Sequence, residues 1–304
     1  MITPENLHSR RVLLSPLNWG MGHVARCIGL IHQLNEQGNT IFIACDDAQK
    51  AVFEEYFPEL QFIHHAGYPF QFGGKGKFGA DLLRSRKALI ARLKHEQDEV
   101  VRYVDENQID VVLADHRYGF ISKKVPSIFI THQVNLPVRW YEKFVNAWHK
   151  KLMNRFDFMW VMDDEKSSLA GKLSENGPEN GRYIGHYSRF SMYEDQAEKK
   201  YDHLLIASGP NVYAEQLIAF VLKDKPLRSN LAIVHSTSVQ IPDDVTSISG
   251  SWKEMDVAIR SAQHIISRPG YTTLMDLKVL GVDGTFIPTK GQSEQEYLAK
   301  HFSK

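Results

Sequence analysis

Apolar runs of strand length alternate with helical patterns along most of the chain. In the first part these runs cover Arg11–Ser15, Thr40–Cys45, Gln61–His64, Asp110–Ala114, Ser127–Thr131 and Phe158–Met162. A second series covers His203–Ala207, Leu231–His235, Val245–Ile248, His264–Ser267 and Thr285–Ile287. The helical stretches include Val24–Gln37, with Gly38 as its C-cap, and the charged stretch Ala80–Asn107. Such alternation predicts βαβ units, parallel sheets and therefore an α/β fold.

The two series are separated by a polar, charged segment, 185–200, that has no hydrophobic periodicity. We therefore predict an N-terminal domain over residues 1–186, a linker over 187–200 and a C-terminal domain over 201–304. The length of 304 residues also favours two domains over one. Both domains are expected to be doubly wound and Rossmann-like, with a crevice between them beside the linker.

Composition and charge exclude several classes of protein. Lys plus Arg and Asp plus Glu both number 36, so no global basic field for nucleic acid exists. The two cysteines, Cys27 and Cys45, lie in apolar segments, which is typical of a reduced compartment without disulfides. The N-terminus lacks the apolar region of a signal peptide, and no apolar run approaches the roughly 18 residues of a membrane span. A cytoplasmic protein is the expectation.

Two glycine-containing stretches stand where a strand hands over to a helix. One runs from Asn18 to Arg26 and contains Gly20-Met-Gly-His23, and the other runs from Ser267 to Leu277. In an open α/β sheet, ligands collect at the carboxyl ends of the strands, and a helix N-terminus there offers free N–H groups to an anion. The pair of turns predicts a phosphorylated ligand.

The order of these parts resembles the GT-B glycosyltransferases, and within them family 28. The resemblance is carried by Gly20-Met-Gly-His23, Thr131-His-Gln133, Gly185-His-Tyr-Ser-Arg189 and the segment from Met255 to Ala299. In the last segment ten residues fall at the spacing of the family's donor-binding half: Met255, Ala262, Arg268, Gly270, Thr273, Asp276, Gly281, Pro288, Gln295 and Ala299. The resemblance implies a GT-B architecture, in which two Rossmann-like domains face a central cleft.

The resemblance also implies a set of donor contacts for a UDP-sugar. Asp276 takes the place of the acidic residue that accepts from both ribose hydroxyls, and a carboxylate suits a vicinal diol. The turn Arg268-Pro-Gly270, followed by Thr272 and Thr273, would face the diphosphate. Pro269 departs from the small residue of close relatives and removes one N–H donor. A solvent-facing helical Asp remains the alternative for Asp276.

Further donor contacts are implied elsewhere in the chain. Ser208 and Gly209 resemble the family's shorter glycine loop, and Gly22 belongs to the N-terminal turn. Arg189 stands at the family's arginine position, as a counter-charge for the departing diphosphate or as a solvated side chain. Trp252 and Met255 either supply an apolar surface for uracil or pack under the sheet edge.

Sugar hydroxyls need hydrogen-bonding side chains, and the segment after Pro288 provides Gln292, Glu294 and Gln295. The family has a Gln pair at positions 294 and 295, so Glu294 departs from the pattern and bears on sugar preference. A helix-capping cluster is the alternative for this segment.

Inverting sugar transfer needs a base for the acceptor hydroxyl and stabilisation of the leaving diphosphate. His23 lies in the strand-to-helix turn and is the first candidate for the base. Asp115 and His132 also follow strands directly, and Asp115 would either act as the base or orient His23. Helix dipoles and cations would neutralise the leaving group, so we expect no metal and no cofactor beyond the UDP-sugar co-substrate.

Two polar clusters and two nucleotide motifs do not change this picture. Asp163-Asp164-Glu165 would mark a solvated helix N-terminus at the end of the first domain's last strand, where acids are favoured. His64 and His65 are adjacent in a strand and point to opposite faces, which argues against a shared metal. Neither a Walker A motif nor the third glycine of a dinucleotide fingerprint is found.

Two other segments bear on the acceptor. The stretch 72–78 is rich in Gly and Lys and indicates either a solvated loop or a loop that closes over an acceptor. The stretch 139–155 is rich in aromatic and basic residues, which favours a domain-packing helix with a basic face; the alternative is peripheral contact with the inner face of a membrane. Membrane contact would suit a lipid-linked acceptor.

The sequence thus predicts a hexosyl- or N-acetylhexosaminyl-transferase that uses a UDP-sugar and an unidentified acceptor. A GT-B sugar-nucleotide epimerase and a non-catalytic sugar-nucleotide-binding subunit are the alternatives. Family members continue into further helices, whereas this chain ends at Lys304 soon after Gln295. Either the second domain is truncated, or the contacts of those helices come from elsewhere.

Overall fold

The computed structural model describes residues 2–69, 78–137, 143–195, 197–223, 230–235 and 240–302. The chain divides into two compact units, the first ending at Arg189 and the second beginning at Phe190. The stretch 72–77 and residues 139–142, on which two of the acceptor hypotheses rest, lie outside the described residues.

The first unit is a parallel sheet with helical crossovers. Its elements are β1 (Arg11–Pro16), α1 (Met21–Glu36), β2 (Thr40–Cys45), α2 (Asp47–Tyr56), β3 (Gln61–His64), α3 (Phe78–Glu106), β4 (Val111–Asp115), β5 (Ser127–Thr131), α4 (Lys143–Met153), β6 (Phe158–Val161) and β7 (Gly181–Tyr183). The strand order is β3-β2-β1-β4-β5-β6-β7, and every pairing is parallel. The order in which strands are added to the sheet reverses between β1 and β4, which is therefore the switch point of a doubly wound sheet.

The second unit repeats this plan with five strands. Its elements are β8 (Tyr201–Ala207), α5 (Asn211–Val221), β9 (Leu231–His235), β10 (Thr246–Ile248), α6 (Trp252–Arg260), β11 (Ala262–Ser267), α7 (Tyr271–Leu280), β12 (Asp283–Phe286) and α8 (Ser293–Phe302). The order β10-β9-β8-β11-β12 is parallel throughout and places the switch point between β8 and β11.

The strands form because their apolar residues are continuous and both sheet faces are covered. All five residues of β4, β5 and β9 are buried, as parallel strands between two helical layers require. Helix α1 ends where predicted, since Gly38 has a φ of +73° and so takes the left-handed conformation that glycine tolerates best. Helix α2 begins at a capping box between Asp46 and Gln49.

Every strand predicted from the sequence is present, with small shifts at the ends. The sequence missed β7, whose Gly-Arg-Tyr sequence has no apolar run and which pairs with β6 through Met159 and Gly181. Neighbouring backbone, and not local sequence, makes this short edge strand. Among the described helices none combines the length and the apolar character that crossing a membrane requires.

Candidate functional site

The candidate catalytic residues meet at the switch point of the first sheet. His23 lies in the first turn of α1, Asp115 is the last residue of β4 and His132 follows the end of β5. Strand pairing sets Asp115 opposite Pro16, where β1 ends. The ends of three strands therefore bring together residues that are far apart in sequence, as expected for a site in an open parallel sheet.

Asp115 is the centre of the cluster. Its carboxylate is fully buried, and the Oδ2 atom lies 2.7 Å from Nδ1 of His23. Arg26 donates from Nε to both carboxylate oxygens at 3.1 and 3.2 Å, and its Nη2 also contacts Oδ1. Because Arg26 follows His23 by three residues in α1, both side chains lie on the helix face that meets β4. A buried carboxylate is thus paired with one cation and one imidazole.

Two further histidines complete the cluster. Nη1 of Arg26 lies 3.0 Å from Nδ1 of His132. His116 has a φ of +56°, and its Nε2 lies 2.6 Å from Oγ1 of Thr131. The His116 ring contacts those of His23 and His132 at centroid distances of 5.5 and 5.6 Å. Three imidazoles therefore surround one ion pair.

Burial and charge shift the pKa values of these groups. Burial lowers the pKa of His23 and the Arg26 cation lowers it further, while Asp115 opposes both and leaves a net decrease. Burial alone would raise the pKa of Asp115, but Arg26 and His23 outweigh it, so that pKa is lowered. Burial, reinforced by Arg26, holds the pKa of His116 well below its usual range. These shifts favour an ionised carboxylate at Asp115 and uncharged imidazoles at His23 and His116.

His23 is the group of this cluster that reaches solvent. Its side chain is 17 % exposed, whereas that of Asp115 is fully buried. With Nδ1 directed at the carboxylate, Nε2 of the neutral ring is available as an acceptor for a proton. This arrangement, a histidine oriented by a buried carboxylate, is able to act as a general base.

Sequence reasoning missed Arg26 and His116. Arg26 interrupts the apolar run Val24-Ala-Arg-Cys-Ile28, and a charged residue inside a buried helix face indicates a buried partner. That signal was available from the sequence. No comparable signal in the sequence pointed to His116. Its left-handed conformation is imposed by the tight turn after β4 and is not visible in the local sequence.

A second buried ion pair supports the loops beside the site. Glu96 of α3 accepts from Nε of Arg117 at 2.7 Å and from the hydroxyl of Tyr68 at 2.6 Å, and it contacts Nε2 of His65 at 3.0 Å. Arg117 also donates to the carbonyl of Ala66 at 2.9 Å. The pair ties the loops after β3 and β4 to α3, and it resembles the Asp115 cluster in composition.

The predicted diphosphate turn of the second unit lies where β11 hands over to α7. Gly270 is the N-cap of α7 and has no side chain that could cap the first turn of this helix. Arg268 donates to the carbonyls of Ile287 at 2.8 Å and Tyr213 at 3.2 Å. It thereby joins the ends of β11 and β12 to the start of α5, and burial lowers its pKa.

The remaining predicted donor residues of α7 and the β8 loop occupy different environments. Thr272 and Asp276 are one turn apart on α7 and are both buried, whereas Thr273 is half-buried. Ser208 and Gly209 are exposed after β8, and Gly209 has a φ of +93°, which favours glycine. These positions lie at the carboxyl edge of one sheet, because β8 and β11 are neighbours.

The predicted base-binding residues lie in α6 and pack against the core. Met255 is 8 % exposed and belongs to the apolar cluster under the sheet, and Trp252 is half-buried against the same cluster. These contacts correspond to the packing alternative for both residues.

The predicted sugar-binding segment opens α8. Oε1 of Gln295 accepts from the N–H of Thr289 at 2.8 Å, and Glu296 accepts from Gly291 at the same distance, so both side chains fix the loop before the helix. Gln292 is exposed and Glu294 is half-buried. The helix-capping alternative therefore describes Gln295, and the loop geometry depends on it.

Two predicted donor contacts belong to the first unit. Gly22 is exposed in the first turn of α1. Arg189 is buried at 6 % exposure in a short 3₁₀ turn, Arg189–Met192, and is therefore not a solvated surface cation.

The acidic run after β6 is not the solvated helix N-terminus that we predicted. Asp163 is buried in a turn between β6 and β7, where it accepts from the N–H of Ala170 at 2.8 Å and from Oγ of Ser174 at 2.7 Å. The carboxylate organises an irregular loop, so burial and not solvation explains it. One ligand atom of each of Asp163, Asp164 and His186 lies within 4.8 Å of the others.

The adjacent histidines His64 and His65 point to opposite faces, as predicted, because His64 is exposed and His65 is buried.

The amino-acid sequence is similar to a known protein family in the second unit and to a curated protein over most of its length. Residues 191–304 match the glycosyltransferase family 28 C-terminal domain. A protein of Methanosarcina acetivorans described as an uncharacterized glycosyltransferase is 24 % identical over 320 aligned positions, which cover 91 % of this chain and 79 % of the relative.

Solved structures share the fold. UGT89C1 of Arabidopsis thaliana, solved with UDP-L-rhamnose, has a TM-score of 0.57 at 13 % identity. The superposition covers 95 % of this chain and 82 % of that protein. The glycosyltransferase SnogD of Streptomyces nogalater has a TM-score of 0.56 at 14 % identity, with 96 % of this chain covering 85 % of it. The α/β architecture with two parallel sheets is the GT-B fold. The family match, the curated relative and this shared fold together identify the chain as a GT-B glycosyltransferase that resembles family 28.

Proposed function

We propose that the enzyme transfers a hexose or N-acetylhexosamine from a UDP-sugar to an acceptor hydroxyl, with inversion and without a metal. The second unit would bind the donor, and the first would bind the acceptor and supply the base. The observation that carries the proposal is the 2.7 Å contact between His23 and the buried carboxylate of Asp115 at the switch point of the first sheet.

The donor assignment is supported by the second unit. The helices that follow β8, β11 and β12 begin at the same edge of the sheet, and the positive dipole end of a helix N-terminus suits a diphosphate. Asp276 on α7 would accept from the ribose hydroxyls, as the resemblance implies. The Arabidopsis protein of the same fold was solved with UDP-L-rhamnose, which is a donor of the proposed class.

The proposed reaction is a single displacement. Nε2 of His23 takes the proton of the acceptor hydroxyl while its oxygen forms a bond to the anomeric carbon. The bond between that carbon and the diphosphate oxygen breaks, and UDP leaves with the electron pair. Asp115 stabilises the imidazolium that forms, because its carboxylate lies against Nδ1. Attack from the face opposite the leaving group inverts the configuration.

The donor is tested first by titration calorimetry with UDP, UDP-glucose, UDP-N-acetylglucosamine and, as a control, NAD. We expect selective binding of uridine nucleotides, and Asp276→Ala should abolish it. Asp283→Ala is the matched control because Asp283 is an exposed carboxylate of the same unit. Equal loss in both variants, or no uridine nucleotide binding to folded protein, would contradict the donor assignment.

Turnover is tested by UDP release across an acceptor panel, with product configuration read by NMR. We expect release that depends on acceptor and persists in EDTA, and His23→Gln should lower kcat by about 10²–10⁴-fold. Conversion of the donor into an isomeric UDP-sugar without acceptor would instead indicate an epimerase. Donor binding without turnover on any acceptor would indicate a binding subunit.

A further inference from the structure

We propose that Arg26 is a positioning residue that sets which atoms of the cluster carry protons: it holds His132 as the Nε2–H tautomer and balances the charge of Asp115, which leaves His23 neutral. The catalytic consequence for His23 rests on the proposed function, whereas the protonation pattern itself does not.

Arg26 is suited to this role because one guanidinium touches three groups of the cluster. Its side chain is 3 % exposed, and its donors lie against the Asp115 carboxylate, 3.0 Å from Nδ1 of His132 and 2.6 Å from Nδ1 of His23. The planar fork of an arginine fixes these directions together, which the single ammonium of a lysine cannot do.

The tautomer of His132 follows from hydrogen-bond chemistry. A guanidinium has donors and no acceptor, so Nδ1 of His132, which faces Arg26, must accept and cannot carry a proton. Nδ1 of His23 also faces Arg26, but Oδ2 of Asp115 lies 2.7 Å away and accepts its proton. Nη2 of Arg26 donates to Oδ1 of Asp115 instead. A neutral His132 then carries its proton on Nε2. The contact with Arg26 therefore converts His132 into a hydrogen-bond donor on the side away from the arginine.

The charge of His23 follows from the groups near it in the described part of the chain. Arg26 and Cys27 lie on its own helix, Asp115 and His116 lie at the end of β4, and His132 lies after β5. Burial raises the pKa of the Cys27 thiol well above its usual range, so this group is uncharged. With His116 also neutral, Arg26 is the cation that offsets the Asp115 carboxylate.

Removing this cation has a definite direction. An uncompensated carboxylate 2.7 Å from Nδ1 would favour imidazolium, so the pKa of His23 should rise. A protonated His23 has no free Nε2 lone pair and is unable to act as a base. Arg26 therefore determines whether the oriented histidine is available near neutral pH.

The first test is long-range ¹H–¹⁵N NMR of histidine-labelled full-length protein, with His23→Gln and His132→Gln used for assignment. In the wild type we expect His132 as the Nε2–H tautomer and His23 titrating below the usual histidine range. In Arg26→Gln the pKa of His23 should rise by about one unit or more. A wild-type His132 protonated on Nδ1, or an unchanged titration of His23 in folded Arg26→Gln, would overturn the proposal.

Arg117→Gln is the matched control. Arg117 is a fully buried arginine paired with a carboxylate in the same unit, and its partner is Glu96. A general loss of structure would affect both variants. The rise in the pKa of His23 must therefore appear in Arg26→Gln and be absent in Arg117→Gln. Equal shifts in the two variants would assign the effect to general loosening and refute the role. The tautomer measurement on the wild type needs no variant of Arg26 and remains decisive if Arg26→Gln does not fold.

The kinetic arm separates this proposal from the proposed function. If transfer occurs, the acid limb of kcat/KM should move upward in Arg26→Gln by about one pH unit or more, so activity near pH 6 falls about tenfold relative to pH 8. Added guanidinium should restore the limb in Arg26→Ala. A wild-type enzyme that shows the expected tautomer but no transfer would refute the proposed function alone, whereas an unmoved acid limb would refute the role of Arg26.

Discussion

Replacing Asp115 with Asn keeps the shape of the side chain and removes its charge. An amide has one acceptor oxygen and one NH₂ donor. If the oxygen faces the Arg26 guanidinium, the NH₂ group faces Nδ1 of His23 and forces that atom to accept. The proton of a neutral His23 then sits on Nε2, where the acceptor hydroxyl has to be deprotonated, and the base is lost.

The magnitude of the stability loss follows from burial. Asp115 is fully buried and Arg26 is nearly so, so the substitution leaves an uncompensated cation in the interior. Removing one partner of a buried ion pair costs about 3–5 kcal/mol. The loss of an oriented general base costs about 10²–10⁴-fold in kcat, which corresponds to about 3–5 kcal/mol of activation free energy.

Urea denaturation measures the stability loss, and UDP release per folded molecule measures kcat. Glu96→Gln is the matched control, because Glu96 is also fully buried and pairs with one arginine and one histidine. Both variants should lose stability, but only Asp115→Asn should lose kcat by two decades or more. A folded Asp115→Asn enzyme within a few-fold of wild-type kcat would refute the reasoning, as would an equal loss of kcat in Glu96→Gln.

The pH dependence of stability has a fixed sign. The folded-state pKa of Asp115 is lowered relative to the usual value by its partners. The ion pair therefore stabilises the protein above the unfolded pKa of about 4, and this contribution disappears as the pH falls through the lower folded-state value. The stability difference between wild type and Asp115→Asn should be full at pH 7 and should shrink below about pH 4.

Two other predictions concern packing and surface contact. An alanine Cβ at Gly29 of α1 would lie 2.5 Å from the backbone oxygen of the buried Ser188. Gly29→Ala should therefore lower the free energy of unfolding, measured in urea, by about 1–3 kcal/mol despite the better helix propensity of alanine. A gain in stability would contradict this contact. Helix α4 leaves Trp148 46 % exposed beside the cationic Lys151, and we propose peripheral contact with an anionic membrane there. The protein should sediment with anionic but not neutral vesicles at low salt, and Trp148→Ala should weaken it; failure to sediment would refute the proposal.

Hydrophobic periodicity determined much of the fold because parallel strands are buried on both faces and must be continuously apolar. For this reason β2, β5 and β9 were predicted with their observed limits. The predictions from sequence were wrong for one strand and one acidic residue of the first unit. Strand β7 has no apolar run, and Asp163 looks like a surface acid in sequence although backbone N–H groups of its own loop bury and satisfy it.

The sequence by itself determined the α/β class, the two strand series and the strand-to-helix turns, because these depend on patterns within about ten to thirty neighbouring residues. It also suggested His23, Asp115 and His132 as candidates for the base, and it left open whether Asp115 acts as the base or orients His23. Only the tertiary structure decided that Asp115 orients His23, that Arg26 bridges Asp115 and His132, and that Met255 belongs to the core. The physical reason is that these relations depend on strand order. Residues 23, 115 and 132 become neighbours because β1 pairs with β4 and β4 with β5, and those non-local pairings do not appear in any local pattern.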